Sequence, residues 1–98
     1  MTGRSVELDP LTHAVRPDLA DVRLAEQVFA PHYASCVARV VARAALLRAE
    51  RGADARVLAT LTPGDAFELL DVVGDDGWGI AVAQGLVGYV EAEALTEA

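Results

Sequence analysis

The chain has 98 residues, 53% of them hydrophobic, and a formal charge of -7 set by 15 acids against 8 basic residues, every one of them Arg. That length suits a single domain near the lower limit for a self-sufficient core. The charge is uneven, at -2 over residues 1–35 (three Arg, five acids), +3 over 36–52 (four Arg, one acid) and -8 over 53–98 (one Arg, nine acids), and so acidic a C-terminal half repels phosphate backbones and argues against a nucleic-acid partner. The single Cys36 excludes a disulfide framework and a cysteine-rich zinc site. Residues 1–10 lack the apolar run of a secretion signal, and no stretch has the length of a membrane span, so a reduced, cytoplasmic protein with no membrane contact is expected.

Taken in order, residues 1–7 read as a frayed terminus. From Leu8 onward Asp9-Pro10, Arg16-Pro17 and Ala30-Pro31 interrupt any regular pattern. Asp18 to Glu26 is expected as a short helical turn, with Pro17 and Asp18 in its first turn and Leu19 and Val22 on one face. Val28, Phe29 and Tyr33 supply bulk to dock this arm, residues 1–35, onto a body formed by residues 36–98. Val37 to Arg51 carries two readings. Val37, Val40, Val41, Ala44 and Ala45 recur at helical spacing among good helix formers, which favours an amphipathic helix. The alternative divides the run into strands at Arg39–Arg43 and Ala45–Arg48, ending at Gly52.

Beyond Gly52 the pattern is β. Val57–Leu61 alternates, Thr62-Pro63-Gly64-Asp65 is a turn, and Ala66–Val73 is a strand with Phe67, Leu69 and Val72 or Val73 inward. Gly74–Gly77 is a tight acidic turn into Gly77–Val82, which holds the only Trp, Trp78. A turn at Ala83-Gln84-Gly85 leads to the strand Val87–Glu91, and Ala92–Leu95 reads as one helical turn. Both strands around Trp78 and Tyr89 alternate bulky and small residues, and the glycines flanking Trp78 allow a backbone or a ligand to come close. Short strands between Gly/Pro/Asp turns at about ten-residue spacing indicate a small antiparallel barrel.

Val40-Val41, Ala45-Leu46-Leu47-Arg48, Gly52, Val57-Leu58-Ala59-Thr60-Leu61 and Gly64-Asp65 resemble the bacterial SH3-like domain. Phe67-Glu68-Leu69-Leu70, Gly77-Trp78, Gly88-Tyr89-Val90 and Ala94-Leu95 continue the likeness, which spans residues 40–95. Ala49-Glu50-Arg51 departs from the family's usual Ser-Gly-Pro, and Tyr89 stands where Trp is common. The arm, through Asp9-Pro10, Thr12-His13-Ala14, Arg16-Pro17-Asp18-Leu19-Ala20-Asp21 and Val28-Phe29-Ala30-Pro31-His32-Tyr33, is similar to the N-terminus of NlpC/P60 cysteine peptidases. The resemblance implies strands at 37–51, an all-β SH3-like antiparallel barrel and an extended N-terminal arm carrying a short helical turn. It also implies a non-catalytic module that docks to a peptidase domain, in cis or in trans, which cuts cell-wall stem peptides at γ-D-glutamyl–diamino acid bonds. The peptidase's Asp-Cys-Ser-Gly motif is absent, so no catalytic residue carries over.

Cys36 with His13 or His32 is a weak candidate for a thiol nucleophile and base, because no glycine-rich or helix-opening context activates the thiol. The same three residues match no metal-site spacing, and neither a metal nor a cofactor is expected. Trp78 and Tyr89 are the main binding candidates, since aromatic faces beside glycine stack on a sugar or grip a peptide; the competing reading puts Trp78 in the barrel core. Asp75 and Asp76 are candidates to meet the free amine of a stem peptide, or else form a solvated turn. The Arg39, Arg43, Arg48 and Arg51 cluster reads as a solvated face pairing with the later acids. A stand-alone binding module for wall peptides or a protein partner is the alternative function.

Overall fold

Branched and aromatic residues in short runs, bounded by Gly, Pro and Asp, become strands wherever a partner strand lies within reach. The structure, a computed structural model, describes residues 11–16, 18–25, 30–52 and 54–98. The terminus at 1–7, Pro17 at the expected helix start, and Val28 and Phe29 lie outside the described residues. The strands are β1 (Leu19–Asp21), β2 (His32–Ala34), β3 (Val37–Val41), β4 (Ala45–Arg48), β5 (Val57–Leu61), β6 (Ala66–Val73), β7 (Asp76–Ala81), β8 (Leu86–Glu91) and β9 (Leu95–Glu97). Strands β3 to β9 form an antiparallel sheet in the order β5-β4-β8-β7-β6-β3-β9, and β1 and β2 pair in parallel beside it. The protein is an all-β antiparallel barrel with an N-terminal arm carrying one short helical turn.

The helical periodicity of residues 37–51 is overridden. Val37–Val41 pairs with β6 on one side and β9 on the other, and Ala45–Arg48 pairs with β5 and β8. The first strand starts two residues before the expected Arg39 and ends at Val41, because Val37 aligns with Leu69 and Val41 with Leu95. Asp18–Ala25, the described part of the expected helical stretch Asp18–Glu26, is not an α-helix either. Leu19–Asp21 runs parallel to His32–Ala34, and a single 3-10 turn follows at Val22–Leu24, capped by the Asp21 side chain accepting from the Arg23 backbone N–H. At the other end, Ala92–Ala94 makes a 3-10 turn and Leu95 continues into β9, where the sequence indicated only a turn.

The interior is filled by Val41, Leu47, Leu61, Phe67 and Val90, with Ala45, Ala81 and Ala94 between them. Leu69 packs against this cluster, but Val72 is exposed and Val73 only half-buried. The cause is a register shift between Leu69 and Asp71, which sends Leu70 into a second cluster with Ala14, Trp78 and Val87. That cluster lies beneath the arm. β7 therefore turns Gly77, Gly79 and Ala81 toward the interior cluster and its neighbours Leu69 and Phe67, and Trp78 and Ile80 toward the arm.

Inward glycine is what lets the barrel be this narrow. A Cβ on Gly79 would stand 2.0 Å from the Glu68 carbonyl oxygen, and one on Gly88, its partner across β7 and β8, 2.5 Å from the Arg48 carbonyl oxygen. Gly85 is needed for a different reason, its φ of 67° in the β7–β8 turn, with open space around it. Gly79→Ala is expected to cost about 3 kcal/mol or more, since a β6–β7 backbone contact must open. Gly85→Ala is expected to cost about 1 kcal/mol from conformation alone. Urea unfolding of the two variants checks the order.

Candidate functional site

The site grows from one row of residues across four strands. Asp71 of β6 aligns with Trp78 of β7, Trp78 with Tyr89 of β8, and Tyr89 with Arg48 of β4. Paired residues share a face, and the arm crosses this one. Arg16 lies over the indole with its guanidinium carbon 4.5 Å from the ring centroid, and its Nη2 donates to Asp71 Oδ2 at 2.9 Å. Its Nε and Nη2 also donate to Asp18 at 3.0 and 3.1 Å. Burial works against the Arg16 charge, yet the hydrogen bonds to Asp18, Asp71 and Tyr89 more than offset it, so its pKa rises further above the usual arginine range. Trp78 is 3% exposed and lies under the arm, outside the interior cluster.

The arm is held elsewhere as well. The Val87 N–H donates to the Leu11 carbonyl at 2.7 Å, joining the arm to β8. Within the arm, the Asp21 N–H donates to the Ala14 carbonyl and the Arg16 N–H to the Leu19 carbonyl. The Asp21 carboxylate is buried and paired with Arg23, whose Nη2 reaches Glu68 of β6 at 2.8 Å. Burial alone would raise the Asp21 pKa, but the Arg23 side chain and backbone N–H together hold it below the usual carboxylate value.

Tyr89, half-buried, stands between two concavities. One, of about 560 Å³, lies between the loop after β4 and the β6–β7 turn and includes Leu46, Glu50, Arg51, Asp75 and Asp76 in its lining. The other, of about 380 Å³, runs under the arm between Leu11, Val15 and Arg16 and a floor of Trp78, Val87 and Tyr89. Glu50, Arg51 and Tyr89 belong to both. Arg51 reaches across to the β6–β7 turn, with its Nε 3.0 Å from Asp76 Oδ2 and its Nη2 2.5 Å from where a Cβ on Gly74 would lie.

Of the sequence candidates, Tyr89, Asp75 and Asp76 line the larger groove, and Trp78 lines the smaller one beside Tyr89. Asp76 is tied to Arg51, whereas Asp75 is exposed and its carbonyl accepts from the Ala92 N–H. Among the described residues, the carboxylates of Asp75 and Glu50 have no ion-pair or hydrogen-bond partner. Cys36 is half-buried against the cluster below the arm, His13 Nδ1 lies 3.1 Å from Thr12 Oγ1, and His32 is exposed. Of the Arg cluster, Arg43 pairs with Glu91 and Arg51 with Asp76, while Arg48 donates to the Ala55 carbonyl. Among the described residues no group of three His, Cys, Asp or Glu side chains is placed to hold a metal, and no helix is long and apolar enough to cross a membrane.

Glu50 and Arg16 are site residues that the sequence reading did not name as binding candidates, whereas Arg51 was read in a basic face pairing with later acids and pairs with Asp76. Their place follows from the loop after β4 and the arm converging on Tyr89, which no local spacing encodes. No protein-family model, no curated protein and no solved structure matches this chain.

Arg16→Ala removes the cation from the indole and both cross-links to carboxylates, and is expected to destabilise the chain by about 2 kcal/mol with a red-shifted Trp78 emission. Urea titration followed by fluorescence measures both; Arg16→Lys, which lacks the planar fork, recovers only part of the loss. A pH dependence follows from Asp21. Its folded pKa lies below the unfolded value near 3.8, so the stability it contributes is present above about pH 4 and is lost as pH falls through the folded value. Thermal midpoints between pH 6 and about pH 3 are expected to fall less steeply in Asp21→Asn than in the parent, from a lower starting point.

Proposed function

We propose that this chain is a non-catalytic binding module of an NlpC/P60-type murein-peptide cysteine peptidase. It docks against the peptidase domain, in cis or in trans, and walls off one end of the substrate cleft so that only suitable stem peptides fit. Excluded geometry of that kind gives specificity without large added affinity. The observation that carries the reading is the groove beside Tyr89, whose lining includes the carboxylates of Glu50 and Asp75, both without an ion-pair or hydrogen-bond partner among the described residues. A free ammonium group at the start of a stem peptide is the complement to those carboxylates, and the Tyr89 ring is a surface for the adjoining chain. The resemblance to SH3-like modules, through Gly77-Trp78, Gly88-Tyr89-Val90 and the strands that precede them, supplies the substrate class.

The second reading is a stand-alone module for wall peptides or a protein partner. Amide-shift titration with L-Ala-γ-D-Glu-diaminopimelate separates the two. Saturable shifts at Tyr89, Glu50 and residues 74–77 are expected if the module itself holds the peptide, with loss of binding in Asp75→Asn. A flat titration on a dispersed β spectrum overturns the ammonium groove and leaves docking to a peptidase domain resting on the resemblance alone. In neither case is the peptide cleaved, and cleavage abolished by Cys36→Ala overturns both.

A further inference from the structure

The smaller concavity is not needed to hold an ammonium group. Its lining is Trp78, Val87 and Tyr89 from the sheet and Leu11 and Val15 from the arm, and it shares Glu50, Arg51 and Tyr89 with the larger groove. At about 380 Å³ it falls within the range of pockets that take small organic groups. Three charged side chains stand around it. The Arg16 guanidinium is already engaged by Asp18 and Asp71, and Arg51 by Asp76, leaving Glu50 at the junction. The polar half of the site therefore lies on one side of Tyr89 and an apolar half on the other.

We propose that the two concavities are one continuous site, in which the space between the arm and Trp78 is an apolar subsite for a peptide side chain. This rests on the reading that the groove beside Glu50 and Asp75 holds a peptide's ammonium end. The ligand class is then wider than the stem peptide, which fills only the groove: a short peptide with a free amino terminus and a nonpolar residue further along engages both parts. Its chain crosses Tyr89, and its nonpolar side chain enters beneath Leu11 and Val15. The argument is one of complementarity: unpaired carboxylates select a cation at one end, while the aromatic and aliphatic floor selects apolar surface at the other. The Arg51–Asp76 pair that spans the groove is half-exposed and weakly held, so it yields to a chain lying across Tyr89 at small cost. The arm thereby becomes a wall of the binding site, and Arg16, by seating it, positions that wall.

Trp78, the only Trp, lies in the floor of the subsite and reports on it directly. The test titrates the full chain with Ala-Glu-Gly, with Ala-Glu-Phe and with N-acetylated Ala-Glu-Phe, following Trp78 emission and amide shifts. Ala-Glu-Phe is expected to bind about tenfold more tightly than Ala-Glu-Gly and alone to change Trp78 emission. Leu11→Gln is expected to abolish that advantage, read as the ratio of Ala-Glu-Phe to Ala-Glu-Gly affinity falling to about one; Val15→Thr, nearly the same shape, serves if the first variant loses the arm. Equal affinity for the two free-amine peptides overturns the subsite and spares the ammonium reading. Equal binding of the acetylated and free Phe peptides overturns the ammonium reading while the Leu11→Gln loss sustains the subsite. Failure of all three peptides to bind overturns both.

Discussion

An arginine held flat against the chain's only indole ties the two parts of this molecule together. Arg16 leaves water only because two carboxylates, Asp18 from the arm and Asp71 from the barrel, keep its charge satisfied while its face rests on Trp78. A cation partly withdrawn from solvent over an aromatic ring interacts more strongly than an exposed one, and anchoring it to a carboxylate on the neighbouring strand fixes where it sits. From that point the arm's path follows. Leu11 is drawn to the β8 backbone, Ala14 closes over Leu70 and Val87, and Leu19–Asp21 lies where β2 can pair with it. Without the arm, Trp78, Ile80 and Val87 would form an apolar face open to water.

That face exists because the barrel interior has no room for it. Phe67, Leu47 and Leu61 fill the inside, and the carbonyls of Glu68 and Arg48 approach β7 and β8 so closely that only glycine fits at 79 and 88. Trp78 and Ile80 of β7 and Val87 and Tyr89 of β8 are turned outward, while Val90 and Leu86 stay against the interior. The alternation is the ordinary one of a strand, but it gives the protein two apolar surfaces on a single sheet, one enclosed by the sheet and the other by the arm. The bulge at Leu69–Asp71 serves the same arrangement. It turns Leu70 to the arm's underside and sets Asp71 where Arg16 needs it.

Charge is used in the same way across the molecule. Basic residues up to position 51 meet acids beyond it: Arg16 with Asp71, Arg23 with Glu68, Arg43 with Glu91 and Arg51 with Asp76. Several of these pairs are exposed and contribute little to stability singly. One of them, Arg51–Asp76, lies in the groove beside Tyr89, where Arg48 donates to the Ala55 carbonyl and the carboxylates of Glu50 and Asp75 have no ion-pair or hydrogen-bond partner among the described residues.

Local sequence determined most of the barrel. Val57–Leu61, Ala66–Val73 and Leu86–Glu91 stand close to where alternation and turn residues put them, since Gly64, Gly74 and Gly85 take the positive φ that their turns require. Tyr89 and Asp75 were visible as a lone aromatic beside glycine and an acidic turn. What no local pattern contained was pairing between distant segments. Residues 37–51 have helical periodicity and become strands because β5, β6, β8 and β9 offer them hydrogen bonds and a shared interior. Leu19–Asp21 leaves its helical pattern for β2, and Leu95–Glu97 becomes a strand only because β3 lies beside it. Whether Trp78 faces the barrel interior or the arm depends on which face holds the space, and that is set by backbone approach at Gly79 and Gly88. Tertiary packing alone decided this, because a strand's alternation states that two faces differ but not which of them is enclosed.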